Sequence, residues 1–345
     1  MSRSRRFVLA AALALAAAQA PARAAESYAK REDVRQFISV MAQKHGFSKK
    51  HLESVFGRVQ AQPAVLKSMT LAPESSRAWQ SYRAIFVNPQ RIEAGVQFWT
   101  RHAAALERAS AEFGVPEEVI LGIIGVETTY GRNMGSYRVI DTLTTLAFDS
   151  PNRGEFFRSQ LESYLLFTRE NRTDVFRMKG SYAGAIGIPQ FMPGSYRQFA
   201  VDYDGDGRKD LADSPADAIG SVANFLREHG WRRGEPAAVP ATVSSPAAQL
   251  LADSGVKPLY RAADLPSFGV KPASDLGDDA LCSLIELESP SQQSEYWVGL
   301  HNFWVLTRYN RAVFYGVAVL ELGRAVREAK DARTAAAEAK PADKP

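Results

Sequence analysis

Residues 121–131, LGIIGVETTYG, constrain this chain more than any other stretch. Ile120, Ile123, Ile124 and position 127 fall at i, i+3, i+4 and i+7, one face of a 3.6-residue period. Pro116 followed by Glu117 and Glu118 marks a helix start, with proline at the first position and acids in the first turn. The segment predicts a helix whose apolar stripe enters a core, and Glu127 lies on that stripe about three turns in. A carboxylate there is costly unless it is protonated, paired or hydrogen-bonded. Two readings compete. One is a salt bridge to a nearby base, Arg132 or Arg138; the other is a carboxyl whose pKa is raised so that it donates a proton near neutral pH.

The chain has 345 residues, enough for two or three domains with a core. Residues 1–24 carry Arg3, Arg5 and Arg6, an apolar run from Phe7 to Ala18, and Ala22-Arg23-Ala24, the pattern of a secretory signal with an A-x-A cleavage site. The run is short for a membrane span. Export through the Sec route is expected, and Arg5-Arg6 also fits the twin-arginine route. Without these residues Lys+Arg falls from 42 to 38, equal to the 38 Asp+Glu, so the basic pI of the whole chain gives no support to nucleic-acid binding.

Cys282 is the only cysteine. It excludes an internal disulfide and lipid attachment just after the signal, and its apolar surroundings, ALCSLIELE, predict a core thiol. The histidines (45, 51, 102, 229 and 301) show no zinc-type clustering, and no G-x-S-x-G elbow is present.

Helical spacing dominates from Val34 to about Phe113 and again from Pro116 to Trp231. Residues 235–294 are rich in Pro, Ser and Gly with short β-type runs, which predicts a small β-rich insertion. Helical character returns from Trp297. Residues 328–345 are alanine-rich and charged, and disorder is expected there.

Residues 202–213, DYDGDGRKDLAD, fit the calcium-loop pattern D-x-[DN]-x-[DN]-G-x5-E at every position but the last, where Asp213 replaces glutamate. Asp202, Asp204, Asp206, the Arg208 carbonyl and Asp213 are the expected ligands of one hard cation, a structural Ca2+; no organic cofactor is expected. Ser214-Pro215 then begins a helix, with Asp217 as a capping-box-like partner of Ser214.

Three segments taken together resemble the lytic murein transglycosylase B family of bacterial peptidoglycan-cleaving enzymes. They are GIIGVETTYGRNMGSYRVIDTLTTLAFDSPNRGEFF, KGSYAGAIGIPQFMPGSYRQFAVDYDGDGRKDL and DAIGSVANFLREHGW. NPQRIEAGVQFW upstream and HNFWVLTRYNRAVFYGVAVLELG near the C-terminus extend the match over most of Val34 to Val326, most weakly in the β-rich insertion.

The resemblance implies a mainly α fold: a lysozyme-like helical core with an additional helical domain and a small β-rich insertion. The expected divisions are 26–114 (helical domain, completed by 311–327), 115–234 (catalytic core, completed by 295–310) and 235–294 (insertion). It implies that Glu127 is the catalytic acid and that Ser181, Gln190, Tyr309, Asn310 and Tyr315 line the substrate groove. Of a pair of arginines in the family only Arg153 matches, because Asn152 takes the other place. The implied activity is cleavage of the MurNAc–GlcNAc bond without water, leaving 1,6-anhydro ends, on glycan strands. Family members often carry a lipid anchor; with no cysteine after the signal, a soluble, periplasmic, non-lipidated form is expected, as a monomer. Other cell-wall synthesis or hydrolysis enzymes are candidate partners. Two rivals remain open in the residues: a hydrolytic muramidase using a second acid such as Asp141, Glu155 or Glu162, and a non-catalytic peptidoglycan-binding protein.

Overall fold

The computed structural model describes residues 27–70, 78–289 and 293–338. Residues 1–24, expected to be a signal, and residues 339–345 lie outside the described residues. The chain divides at residue 58 into two compact units.

In the first unit a 3-10 turn (Tyr28–Lys30) leads into α1 (Glu32–His45) and α2 (Lys49–Arg58). Acids open α1 and Lys44 and His45 close it, matching the helix dipole, and Gly46 terminates it in the left-handed conformation. Its apolar positions Val34, Phe37, Ile38 and Met41 are spaced for one face, and Phe37 meets Phe56 of α2 edge to face at 6.0 Å.

The second unit holds the rest. Helices α3 (Pro63–Thr70), α4 (Trp79–Phe86), α5 (Pro89–Arg101) and α6 (Ala103–Phe113) precede α7 (Glu117–Thr128), the expected helix. α7 is buried on every side from Val119 to Val126. It packs chiefly against α14 (Val313–Glu338), with α5, α6 and α11 (Pro215–Glu228) around it. Two glycines permit the close crossing of α7 and α14: a methyl at Gly122 would strike the Val319 carbonyl, and one at Gly323 the Glu118 carbonyl. Because α6 lies against both α7 and α11, the division expected at 114 is no break between compact units.

Beyond α7, a two-stranded ribbon of β1 (Tyr137–Arg138) and β2 (Lys179–Gly180) pairs antiparallel, Tyr137 opposite Gly180. α8 (Val139–Asp149), α9 (Gly154–Glu170) and α10 (Pro193–Phe199) surround it in sequence. The fold is thus mainly α with a small β portion, as the sequence predicts.

The β-rich insertion is one antiparallel sheet of β3 (Ala238–Val243), β4 (Tyr260–Arg261), β5 (Val270–Pro272), β6 (Leu281–Leu287) and β7 (Glu295–Gly299), in the order β4-β6-β7-β3-β5. It reaches five residues past its expected end at 294, because β7 occupies the centre and pairs with both β3 and β6. Cys282 is fully buried in this sheet's core beside Leu284 and Val298, and burial pushes its thiol up to about 11.

The segment expected to be disordered from 328 is a correction: α14 continues to Glu338. Its alanines, glutamates, lysine and arginine are strong helix formers, and Arg333 pairs with Glu93 of α5. A short helix (His301–Leu306) links the sheet to α14 and is numbered α13; the four-residue α12 (Gln249–Ala252) lies within the insertion.

Candidate active site

Glu127 occupies the penultimate position of α7, directly after the buried run, and is itself partly exposed. The stripe reading needs amending accordingly. The helix has no polar face over most of its length, and position 127 is where it opens to solvent. Thr129 and Tyr130 then turn the chain sharply at φ 51 and 59. Left-handed backbone is costly for a β-branched or bulky residue, so the turn after Glu127 is held by its surroundings. Thr128 supplies part of that hold: its hydroxyl donates to the Ile188 carbonyl at 2.8 Å and accepts from the Gly131 amide at 2.9 Å.

The Tyr315 hydroxyl donates to Glu127 Oε1 at 2.7 Å. Tyr315 begins the buried face of α14 and stacks on Tyr309, 6.4 Å between centroids and 11° between planes. Desolvation, and then the neighbouring Glu127 charge, push both phenols well above their ordinary range, so both stay neutral donors. Tyr309 donates to the Pro189 carbonyl at 2.6 Å and packs edge to face on Phe225. The adjoining Gln190, also left-handed at φ 52, donates from Nε2 to the carbonyls of Met134 (3.2 Å) and Gly187 (2.8 Å). Ser181 Oγ accepts from the Ala183 and Ala185 amides, 3.2 and 3.1 Å, which shapes the loop that leads into Ile186 and its bridge to Phe191.

The loop 181–191 therefore joins Ser181, Gln190, Tyr309 and, through Ile188 and Thr128, the end of α7. Asn310 follows Tyr309 and uses its side-chain carbonyl to accept from the Ala312 amide at 3.0 Å. Arg153 stands apart at the start of α9, exposed, its guanidinium 5.1 and 5.2 Å from the rings of Phe156 and Phe157.

Of the two bases considered as salt-bridge partners, Arg138 is committed elsewhere: it pairs with Asp141 at 2.7 Å. Asp141 is 1% exposed and also accepts the Gln60 amide at 3.1 Å. That is a structural acid. Glu155 and Glu162 both lie on α9, which packs against α8 and α10.

Sequence reasoning missed Arg91. From α5 its guanidinium donates to the carbonyls of Gly125 (3.1 Å) and Val126 (3.5 Å), the last turn of α7 before Glu127. A half-buried cation at a helix C-terminus is stabilising, but nothing in NPQRIEAGVQFW foretells which helix it reaches.

The calcium-type loop departs from its pattern. Asp202, Asp204 and Asp217 bring carboxylate oxygens within 4.8 Å of one another. Asp206 and Asp213 are outside this group. Asp206 Oδ1 accepts the Arg208 amide, Arg208 itself is exposed, and the Asp213 amide turns to Asp210. Asp217 arrives on the first turn of α11, 1% exposed, and accepts the amides of Tyr203, Asp204 and Asp210. Ser214 caps the helix by accepting the Asp217 amide, so the cap forms while the carboxylate faces the loop. The pattern stopped counting at residue 213, and the helix carries the last acid inward. Three carboxylates this close suit a hard divalent cation with oxygen ligands.

The chain matches the model of the Transglycosylase SLT domain over residues 29–324. It belongs to that family. The membrane-bound lytic murein transglycosylase B of Escherichia coli K12 is 42% identical over 308 residues, covering 87% of this chain and 84% of that protein. The soluble lytic transglycosylase SltB1 of Pseudomonas aeruginosa superposes with a TM-score of 0.82 at 43% identity, covering 87% of this chain and 99% of that one. The lytic transglycosylase Slt35 of E. coli, solved in complex with calcium, gives a TM-score of 0.80 at 41% identity, covering 88% and 95%. The helical core is accordingly lysozyme-like, and the chain is a transglycosylase-family enzyme whose helices α7 and α14 build the Glu127 site.

Proposed function

We propose that this enzyme cleaves the MurNAc–GlcNAc β-1,4 bond of peptidoglycan by intramolecular transglycosylation, with Glu127 as acid and then base. The protonated carboxyl gives its proton to the glycosidic oxygen, and the C1–O bond breaks as GlcNAc leaves with its 4-hydroxyl. The N-acetyl group of MurNAc stabilises the developing cation at C1. The Glu127 carboxylate then takes the proton of the C6 hydroxyl, and O6 bonds to C1 to close the 1,6-anhydro ring. Proton count balances and water is not consumed.

The observation that carries this reading is the hydrogen bond from Tyr315 to Glu127 Oε1; Asp141, a rival second acid, is buried and paired with Arg138. A neutral phenol that donates to one oxygen orients the carboxyl for proton exchange with the sugar. Gln190, Ser181, Asn310 and the Tyr309 ring are proposed to bind the glycan, with Arg153 as an outlying contact. A calcium ion held by Asp202, Asp204 and Asp217 would fasten the loop to α11, a structural contribution. Among the described residues no helix is long and apolar enough to cross a membrane. An exported enzyme of the cell envelope is the setting we propose.

Digestion in H218O separates this reaction from hydrolysis. The proposed chemistry yields products without label at the new muramyl end. One 18O per cleavage would make the enzyme a muramidase.

A further inference from the structure

Three residues after Glu127, Tyr130 turns back into the protein and is 8% exposed. Its phenol enters a cradle where α5, α7 and α14 meet. The ring lies 5.5 Å from that of Phe98 on α5, tilted by 35°. Its tip fills the space that two helical glycines leave open. A methyl at Gly95 of α5 would strike the Tyr130 hydroxyl and Val326 of α14. One at Gly125 of α7 would lie 2.6 Å from that hydroxyl and 2.8 Å from Leu322 of α14. Glycine inside a helix is less stable than alanine, so both positions are kept bare against helix propensity where the ring needs room.

The backbone that delivers the ring is equally particular. Thr129, Tyr130 and Gly131 are left-handed in succession, at φ 51, 59 and 84. The first two carry side chains that disfavour this conformation. The bonds that close α7 run through them: the Thr129 amide donates to the Gly125 carbonyl at 3.1 Å, and the Tyr130 amide to the Ile124 carbonyl at 3.3 Å. Such a turn persists only where its surroundings over-determine it, and a buried aromatic ring at its centre supplies much apolar contact. The hydroxyl adds no bond. Among the described residues it has no hydrogen-bond partner, and the nearby Gly125 carbonyl already accepts from Arg91 and the Thr129 amide. The hold is the ring's.

α7 carries Glu127, and α14 carries the Tyr315 hydroxyl that donates to its Oε1. Gly125 stands two residues before the acid, and Leu322 about two turns beyond the donor. A ring wedged where both helices meet, and attached to the chain just past the acid, fixes the last turn of α7 relative to α14. We infer that Tyr130 is a positioning residue for Glu127: its ring locks the left-handed turn against α5, α7 and α14 and so keeps the carboxyl within reach of Tyr315. This deepens the function proposed above and rests on Glu127 being the acid.

The test compares the parent with Tyr130→Phe, Tyr130→Leu and the more adaptable Tyr130→Met, each confirmed folded by its urea transition. Tyr130→Phe keeps the ring and loses only an unpaired buried hydroxyl, so its kcat should match the parent's and its urea midpoint should be equal or higher. Tyr130→Leu should lower kcat on murein roughly tenfold to a hundredfold, the effect of a carboxyl displaced by about 1 Å. KM should stay within about twofold, since no glycan contact is lost. Tyr130→Met should fall between, and it replaces the leucine variant in every comparison if that one does not fold. Coupling gives the sharper reading. Tyr315→Phe should lower kcat in the parent but add little to Tyr130→Leu, because the carboxyl has already left its donor.

A parental kcat in Tyr130→Leu or Tyr130→Met overturns the inference. So does an equal loss in Tyr130→Phe, which would make the hydroxyl the working group, and so do losses at 130 and 315 that simply multiply. In each of these cases the parent still cleaves murein and the proposed function stands. If the parent does not cleave murein, the proposed function falls, and hydrogen exchange decides the anchoring alone. The amides of Thr129, Tyr130 and Asn133 should then exchange faster in Tyr130→Leu or Tyr130→Met than in the parent or Tyr130→Phe; equal exchange in all would overturn it.

Discussion

Across 188 positions of sequence, the Tyr315 hydroxyl reaches Oε1 of Glu127 at 2.7 Å and so fixes one oxygen of the carboxyl. Replacing Tyr315 by Phe keeps the ring stacked on Tyr309 and removes only the donor. A hydrogen bond to a charged group is worth about 1.5–3 kcal/mol, so kcat should fall roughly tenfold to a hundredfold. KM on murein should change little, since the contact is to the acid and not to the sugar. A rise in KM at constant kcat would make Tyr315 a binding residue.

Arg91 tests whether the end of α7 must be held. Arg91→Ala removes the donor to Gly125 and Val126 and leaves their carbonyls to water. Destabilisation of about 1–2 kcal/mol is expected from the lost helix-terminus interaction, together with a lower kcat. Urea unfolding and turnover, measured on the same preparation, check both. Unchanged stability and rate would reduce Arg91 to a surface contact.

The crossing of α7 and α14 depends on bare backbone. Gly122→Ala sets a methyl against the Val319 carbonyl in a region without free space. Overpacking of this kind costs about 1–3 kcal/mol, read as a lower urea midpoint with little change in slope. A neutral result would mean that the two helices can slide apart.

How much of this was legible in the sequence differs between local and distant features. Helix α7, its start, and the acid at 127 could be read because period and capping are local. The partner of that acid could not, since Tyr315 is brought in by a helix from the far end of the chain. Asp217 shows the same limit at short range. The calcium-loop pattern closes at 213, whereas the three-dimensional turn of α11 decides which carboxylate points inward. The tail from 328 has the composition of a disordered segment, yet an alanine-rich run continuous with a packed helix has its nucleus already formed, so α14 runs on to Glu338.

Metal dependence distinguishes the two loop assignments. Calcium at about a hundred times its Kd should stabilise the parent by roughly 2.7 kcal/mol, seen as a thermal shift reversed by EDTA. Asp217→Asn should lose that shift, and Asp213→Asn should retain it. The opposite pattern would restore the ligand set read from the sequence.

His102, at the junction of α5 and α6, lies tilted against the Phe98 ring with 4.5 Å between centroids, and burial lowers its pKa from the ordinary 6.5. Its neutral form is favoured in the folded chain. The unfolded chain therefore binds the proton first as pH falls. The contribution to stability is complete above about pH 6.5 and declines as pH falls toward the lower folded value. His102→Phe should flatten the stability profile between pH 7 and 5 relative to the parent. Parallel profiles would remove His102 from the pH response.

The most direct test of Glu127 as the one acid and base is digestion of purified murein sacculi by the parent and by Glu127→Gln, with mass analysis of the muropeptides. The account predicts 1,6-anhydromuramyl products from the parent and none from the variant, with both proteins equally folded. Hydrated reducing ends from the parent, or anhydro products from Glu127→Gln at the parent's rate, would contradict it.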